Sequence, residues 1–227
     1  MEDINKIKKL SIWIFFVPFI AINACLILIT NFHQLFNLEQ VVHPTIPYID
    51  GGTSISRTAR VFPTYLIFKP AMFITAFFLI QYWRFNSNLM EKINPNLNYK
   101  KFFLFFGVGS AIFLFLHSLF LGIKFDSDLY KLFRRIVLLC FIIFEIVAQT
   151  LLVINFRKVR EQINKLANIK ILNLKIALVS ILILVAIVSI PFITSEGYTR
   201  FKHALEWNYF VGVISFYLLT FFFWKKQ

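Results

Sequence analysis

Residues 136–156 read IVLLCFIIFEIVAQTLLVINF. At 1.5 Å per residue these 21 residues are long enough to cross the ~30 Å hydrocarbon core as a helix. In that core only helices and closed barrels satisfy their own backbone hydrogen bonds. The run does not alternate apolar with polar, so it is not a barrel strand. Five further stretches share its length and character: 10–30, 64–83, 102–123, 176–193 and 207–224. The 227-residue chain, 59% hydrophobic and carrying 30 Phe, is therefore read as all-α: a polytopic membrane protein, a bundle of six transmembrane helices. The six spans and their short loops form one domain over 1–227 and leave no room for a soluble one. Only 7 Gly are present, so helix contacts rest less on small-residue seams than in many bundles.

The formal charge is +13. In a soluble chain that would suggest nucleic acid. Here Lys and Arg flank the spans, so the reading is topological and no nucleic-acid partner is expected. With the N-terminus inside, 3 basic residues precede the first span, 4 follow the second, 6 follow the fourth and 2 follow the last; 15 of the 24 lie inside and 9 outside, counting Lys69 near the outer end of its span. The positive-inside rule then places both termini in the cytoplasm. The loop with Lys124, Lys131, Arg134 and Arg135 runs against that count, though Asp126 and Asp128 share it. A bacterial inner membrane and an ER or Golgi membrane fit equally well. Cys25 and Cys140 lie within spans, where they read as apolar packing residues and not as a disulfide. The basic start is followed by too long an apolar run for a cleaved signal, so the first span is expected to be retained.

On this orientation the outer loops are 31–63, 124–135 and 194–206, and the inner loops are 84–101 and 157–175. Loop 31–63 is the longest, and its Pro47-Tyr48-Ile49-Asp50-Gly51-Gly52 is a turn signal in which at least one glycine is expected to need positive φ. Inner loop 157–175 carries basic residues among Ile and Leu at helical spacing, as an extension of the fourth span, a surface helix on an anionic leaflet or a stop-transfer collar would.

Polar residues inside spans are costly and usually face the bundle interior or water. Glu145 lies nine positions below the outer end of its span, ~13 Å deep, with Gln149 one turn on. His117 shares a face with Gly107 and Ser110. Asn23, Lys69, His117, Glu145 and Asn208 all fall in the outer half. The expectation is a polar chamber on the outer side, roofed by loop 31–63, with His117, Lys69 or Asn208 holding Glu145. Arg57, Arg60 and Lys69 suit a phosphate there, and Tyr48, Asp50, His203, Glu206 and Asn208 complete the expected ligand-binding set. Simpler readings compete: Lys69 snorkels, Asn23 joins helices, His117 is structural. His117 and Glu145 are the catalytic candidates for acid–base work. No Gly-x-Ser-x-Gly motif and no close pair of His occurs, so neither a metal nor another cofactor is expected.

The order of these features resembles a known family. A basic start, a long outer loop with Pro47 to Gly52, Arg60 before a span ending in Tyr82-Trp83, and Ser195 to Tyr198 leading through Ala204-Leu205-Glu206-Trp207 into the last span are similar to the six-helix DRAM/Sfk-type family. The nearest branch is the post-GPI-attachment one, which acts in lipid remodelling of GPI anchors. The family's acidic–aromatic pair opening the last span is matched by Glu206-Trp207; Val213 and Phe216-Tyr217 stand where the remodelling members have Asn and Phe-His. The resemblance implies a six-helix fold and a lipid-handling role, with membrane lipids bearing phosphorylated or glycosylated headgroups as partners. A non-catalytic scaffold or regulator, and an acyl-transfer or hydrolase enzyme, are the alternatives.

Overall fold

The computed structural model describes residues 2–95, 100–123 and 127–225; Lys124, Asp126 and the C-terminal Gln227 lie outside the described residues. The fold is an all-α bundle, and six of its helices are long and apolar enough to cross a membrane: α1 (Glu2–Asn31), α4 (Tyr65–Ile93), α5 (Lys100–Phe120), α6 (Asp128–Lys158), α8 (Ile169–Thr194) and α9 (Thr199–Phe223). The chain is an integral, multi-pass membrane protein. Three short helices sit between them: α2 (Pro47–Asp50) and α3 (Ile55–Ala59) in the long loop, and α7 (Arg160–Ile163) after α6.

The six long helices pack in a closed ring. Neighbours α1 and α4, α4 and α5, α5 and α6, α6 and α8, α8 and α9 all touch, and α9 returns to α1. The interior is filled by large rings, among them Trp83, Trp207, Tyr82, Tyr217 and Phe216, all fully buried. Phe-rich spans and few glycines produce this result: aromatic edges and faces fill the contacts that small residues fill elsewhere. Tyr82 stands edge-on to both Trp83 and Tyr217, with centroids 5.2 and 4.9 Å apart.

The helices overrun the apolar windows that identify them. α6, with 31 residues, is ~46 Å long, half as long again as the hydrocarbon core. Residues 84–93 and 169–175, expected in inner loops, are helical and extend α4 and α8. Their inner turns pack as core: Ile4, Ile7, Asn86, Met90 and Lys175 are buried, and Lys92 forms an ion pair with Asp3. Both termini emerge at this end, where Lys8 donates to Trp224 O and Lys225 donates to Asn164 O. The bundle thus has a terminus end and a loop end.

Candidate functional site

The long loop is fastened to the start of α9. Asn208 Nδ2 donates to Tyr48 O at 2.7 Å, Trp207 Nε1 donates to Thr53 O at 2.9 Å, and His203 Nδ1 lies 3.0 Å from Gly51 O. Tyr48 Oη donates to Asn23 Oδ1 of α1 at 3.0 Å, and the Tyr48 ring stands edge-on to Trp207. Glu206 accepts the backbone N–H groups of Ile55 and Ser56, so its carboxyl closes the N-terminal end of α3. Gly51 ends α2 at φ 61°, and a Cβ there would lie 1.8 Å from Arg200 O, so this approach needs glycine twice over. Asp50 ties the turn together by accepting from the Thr45 hydroxyl and from the N–H groups of Gly52 and Ile46. These bonds, with the charge of Arg200, hold its carboxyl below the usual range.

Five of the expected ligand-binding residues, Tyr48, Asp50, His203, Glu206 and Asn208, are therefore brought together, but as the clasp that holds the loop. The cleft beside them, about 400 Å³, runs between the end of α1 and residues 44–50; of the expected set only Asp50 lines it.

The cationic candidates lie elsewhere on the loop end. Arg60 caps α3, and its carbonyl packs against the end of α5, 2.7 Å from where a Cβ on Gly122 would stand. Burial, together with the charges of Arg134 and Arg57, pushes the Arg60 guanidinium down from its usual range. Arg134, in the second turn of α6, also lies within electrostatic range of His117. Arg134 Nε and His117 Nδ1 are buried without a hydrogen-bond partner among the described residues. Lys69 is engaged by other partners: its Nζ donates to Leu119 O at 3.2 Å and sits over the Tyr65 ring.

Glu145 belongs to a different constellation, in the bundle interior. Ser110 Oγ of α5 donates to its Oε2 at 2.6 Å, Gln149 Nε2 donates to Oε1 at 2.9 Å, and Tyr217 Oη of α9 donates to the same oxygen. Gln149 also donates to Val213 O. The expected donors His117, Lys69 and Asn208 are not its partners. His117 is seven residues along α5 from Ser110, ~10 Å away, so the acid–base pair His117–Glu145 does not form. The cause is distance along the helix: Ser110 and His117 share a face of α5, but two turns separate the level of Glu145 from the corner where His117 meets Arg134.

Beyond Tyr217 the polar interior continues toward the terminus end. Tyr82 Oη and Thr220 Oγ1 are 3.1 Å apart, and Lys175 Nζ donates to the same Thr220 oxygen at 2.7 Å. Lys175 is fully buried in a cage of Phe216, Phe156 and Phe223, with ring centroids 3.9, 5.6 and 5.5 Å from Nζ. Ring quadrupoles stabilise an ammonium in such a cage. Around the chain, Asn86 Oδ1, Gln149 Oε1, Trp83 Nε1 and both polar atoms of the Asn155 side chain lack partners among the described residues. Sequence reasoning missed Lys175, Thr220, Tyr82 and Asn155. The available signal was a lysine one position before an apolar span, inside a helix that begins at Ile169.

Comparison with known proteins returns no match: no family model, no curated protein and no solved structure is similar to the chain.

Proposed function

We propose that the protein handles lipids at the loop end of its bundle, where Arg57, Arg60 and Arg134 receive the phosphate of a lipid headgroup. The observation that carries this reading is Arg60 at the end of α3 within electrostatic range of both Arg57 and Arg134, with none of the three in an ion pair among the described residues. Like charges brought together at a membrane interface repel, and an anionic phosphate offsets that repulsion through charge-assisted, bidentate hydrogen bonds. The unpartnered Arg134 Nε and His117 Nδ1 add further capacity on the same corner. The excess of basic residues at the terminus end supports an orientation with both termini cytoplasmic, so that this corner faces the periplasm or the ER or Golgi lumen. The order of loop and span features, similar to DRAM/Sfk-type proteins, supports the same lipid role, with GPI-anchor lipids as substrates in a host that makes them.

Lipidomics of cells lacking the chain tests the reading. The expected result is a changed headgroup or acyl-chain profile, restored by the wild-type chain and not by an Arg60→Ala, Arg134→Ala variant present at equal abundance. An unchanged profile overturns lipid handling and leaves a scaffold or regulator. Full rescue by the double variant removes the arginine corner from the function.

A further inference from the structure

A second arginine pair lies at the opposite end of the bundle, independent of the reading above. Between the last turn of α6, α7 and the first turns of α8 runs an open groove of about 350 Å³, lined by Arg157, Arg160, Leu172, Asn173, Ile176 and Ala177. Its two arginines are exposed, and neither guanidinium takes part in an ion pair or a hydrogen bond among the described residues. The opposite wall is one face of α8, in which Leu172, Ile176 and Ala177 recur at i, i+4 and i+5.

We propose that this groove binds an anionic phospholipid, with Arg157 and Arg160 on its phosphate and the start of an acyl chain along Ile176 and Ala177. Four observations carry the assignment. The groove is amphiphilic along its length, charged at the lip and apolar on the wall, as a lipid is. Arginine forks match the two oxygens of a phosphate in a way that ammonium groups do not. The site sits at the level of the termini, beside the chain end that Lys225 anchors to Asn164 and Leu166, which is where a headgroup region meets this bundle. Finally, α8 is the helix most open to lipid: 17% of its apolar window is buried, against 33–44% for the other five. Its exposed Leu174, Ile181 and Leu184 continue the apolar surface away from the headgroup level. Asn173, on the lip, offers its amide to the glycerol hydroxyls of a headgroup.

The sequence around the groove fits the same ligand. Of the basic residues between Arg157 and Lys175, Lys175 is withdrawn into its phenylalanine cage. Arg157, Lys158, Arg160, Lys165 and Lys170 remain exposed at this end. Basic residues beside transmembrane helices concentrate on anionic leaflets, and a preformed pocket converts that general attraction into a site.

The test uses the purified full-length chain in mild detergent, with phosphatidylglycerol, phosphatidylcholine of the same acyl chains, or inorganic phosphate added. Native mass spectrometry reads the bound lipid and thermal unfolding reads stabilisation. Expected is one retained phosphatidylglycerol with a raised melting temperature, and little of either with phosphatidylcholine or phosphate. Arg157→Ala with Arg160→Ala should lower retention roughly tenfold or more, about the weight of one lost bidentate phosphate contact. Lys165→Ala with Lys170→Ala, which removes the same charge outside the groove, should retain the lipid. Should the arginine variant fail to fold, Ala177→Trp fills the groove from an exposed position with both arginines in place, and the same loss is expected. Equal retention of both phospholipids, protection by phosphate alone, or undiminished phosphatidylglycerol in the arginine and tryptophan variants would each overturn the proposal. None of these results depends on Arg60 or Arg134, so this site and the loop-end corner fail or stand separately.

Discussion

Along α9, Asn208, Trp207 and His203 meet main-chain carbonyls of Tyr48, Thr53 and Gly51, whereas two turns further on Tyr217 and Thr220 meet the side chains of Glu145, Tyr82 and Lys175. The first set fastens a loop to one helix. The second forms two adjoining groups on α9 through fully buried side chains: Tyr217 ties α5 and α6 to it at Glu145, and Thr220 ties α4 and α8 to it through Tyr82 and Lys175. Both sets are polar residues in or beside spans, and composition alone does not separate them. The kind of partner does: a carbonyl of a loop marks a clasp, and a side chain of another helix marks a buried network. Losing a clasp is local. Losing Glu145 from its group removes bonds to two other helices, α5 and α9, at once.

The largest effect that follows is at Glu145. Glu145→Leu strands the Tyr217 hydroxyl in the interior and leaves the Ser110 hydroxyl and the Gln149 amide with only the carbonyls of Gly107 and Val213 as acceptors. A stranded buried donor costs about 1–3 kcal/mol, reduced where the membrane-inserted reference state finds other partners, so the bundle should lose roughly 1–3 kcal/mol. Abundance in membranes and the melting temperature in detergent should both fall. Glu145→Gln should hold both near wild type. Ser110 has one proton, with the Gly107 carbonyl 2.8 Å away to take it, and an amide at position 145 supplies the proton for the other contact. A leucine variant as stable as wild type would mean that the network does not bind the helices together.

Lys175 sharpens the contrast, because the neighbouring group with Tyr82 and Thr220 contains a cation with a single hydrogen-bonding partner and no ion-paired carboxylate among the described residues. Replacing a buried charge by an apolar side chain of similar length is often neutral or stabilising by about 1–4 kcal/mol. Lys175→Met keeps the reach into the Phe216 cage and leaves Thr220 bonded to Tyr82, so the variant should melt at or above the wild-type temperature. A drop of several degrees would show that the cage and Thr220 more than offset the desolvation of the ammonium. If Lys175→Met is more stable but fails to restore the lipid profile of cells lacking the chain, the lysine serves function at the expense of stability.

These two residues also show what was legible in the sequence. The fold class was, because the hydrocarbon core demands some twenty apolar residues and six stretches supply them. Helix ends were not: beyond the core nothing stops a helix but caps and packing, and residues 84–93 and 169–175 continue because Met90, Leu172 and Lys175 find buried neighbours. Glu145 stood out as a carboxyl amid apolar residues, yet its partners depend on how α5, α6 and α9 are rotated, which a single sequence does not state. Tyr217, noticed only as a difference from a resembled family, proves to be one of those partners. Lys175 read as loop because its cage comes from Phe156, Phe216 and Phe223, far away along the chain. At the loop end, the Asp50-Gly51-Gly52 turn was legible from local chemistry alone, since Asp50 bonds within its own turn. The single outer chamber was not: its expected members divide into a clasp, an arginine corner and an interior network.

The smallest expected effect tests the clasp by pH. Asp50 is exposed, and its carboxyl is held below the usual range first by the Thr45 hydroxyl, then by the N–H groups of Gly52 and Ile46, with Arg200 adding to them. A carboxyl whose folded pKa lies below its unfolded value stabilises the turn fully above the unfolded value, near 4, and loses that contribution as pH falls toward the folded one. Protonation removes the charge that strengthens the bonds to Thr45, Gly52 and Ile46, so the turn should loosen on acidification while the bundle stays folded. Hydrogen exchange at the Gly52 and Ile46 amides, taken relative to their intrinsic rates, should show protection that is level above about pH 5 and declines below about pH 4. Asp50→Asn keeps an acceptor oxygen but has no proton to gain, so its protection should be weaker and independent of pH. A wild-type profile as flat as that of the asparagine variant would show that backbone geometry, with Gly51 in its left-handed conformation, holds the turn without help from the carboxylate.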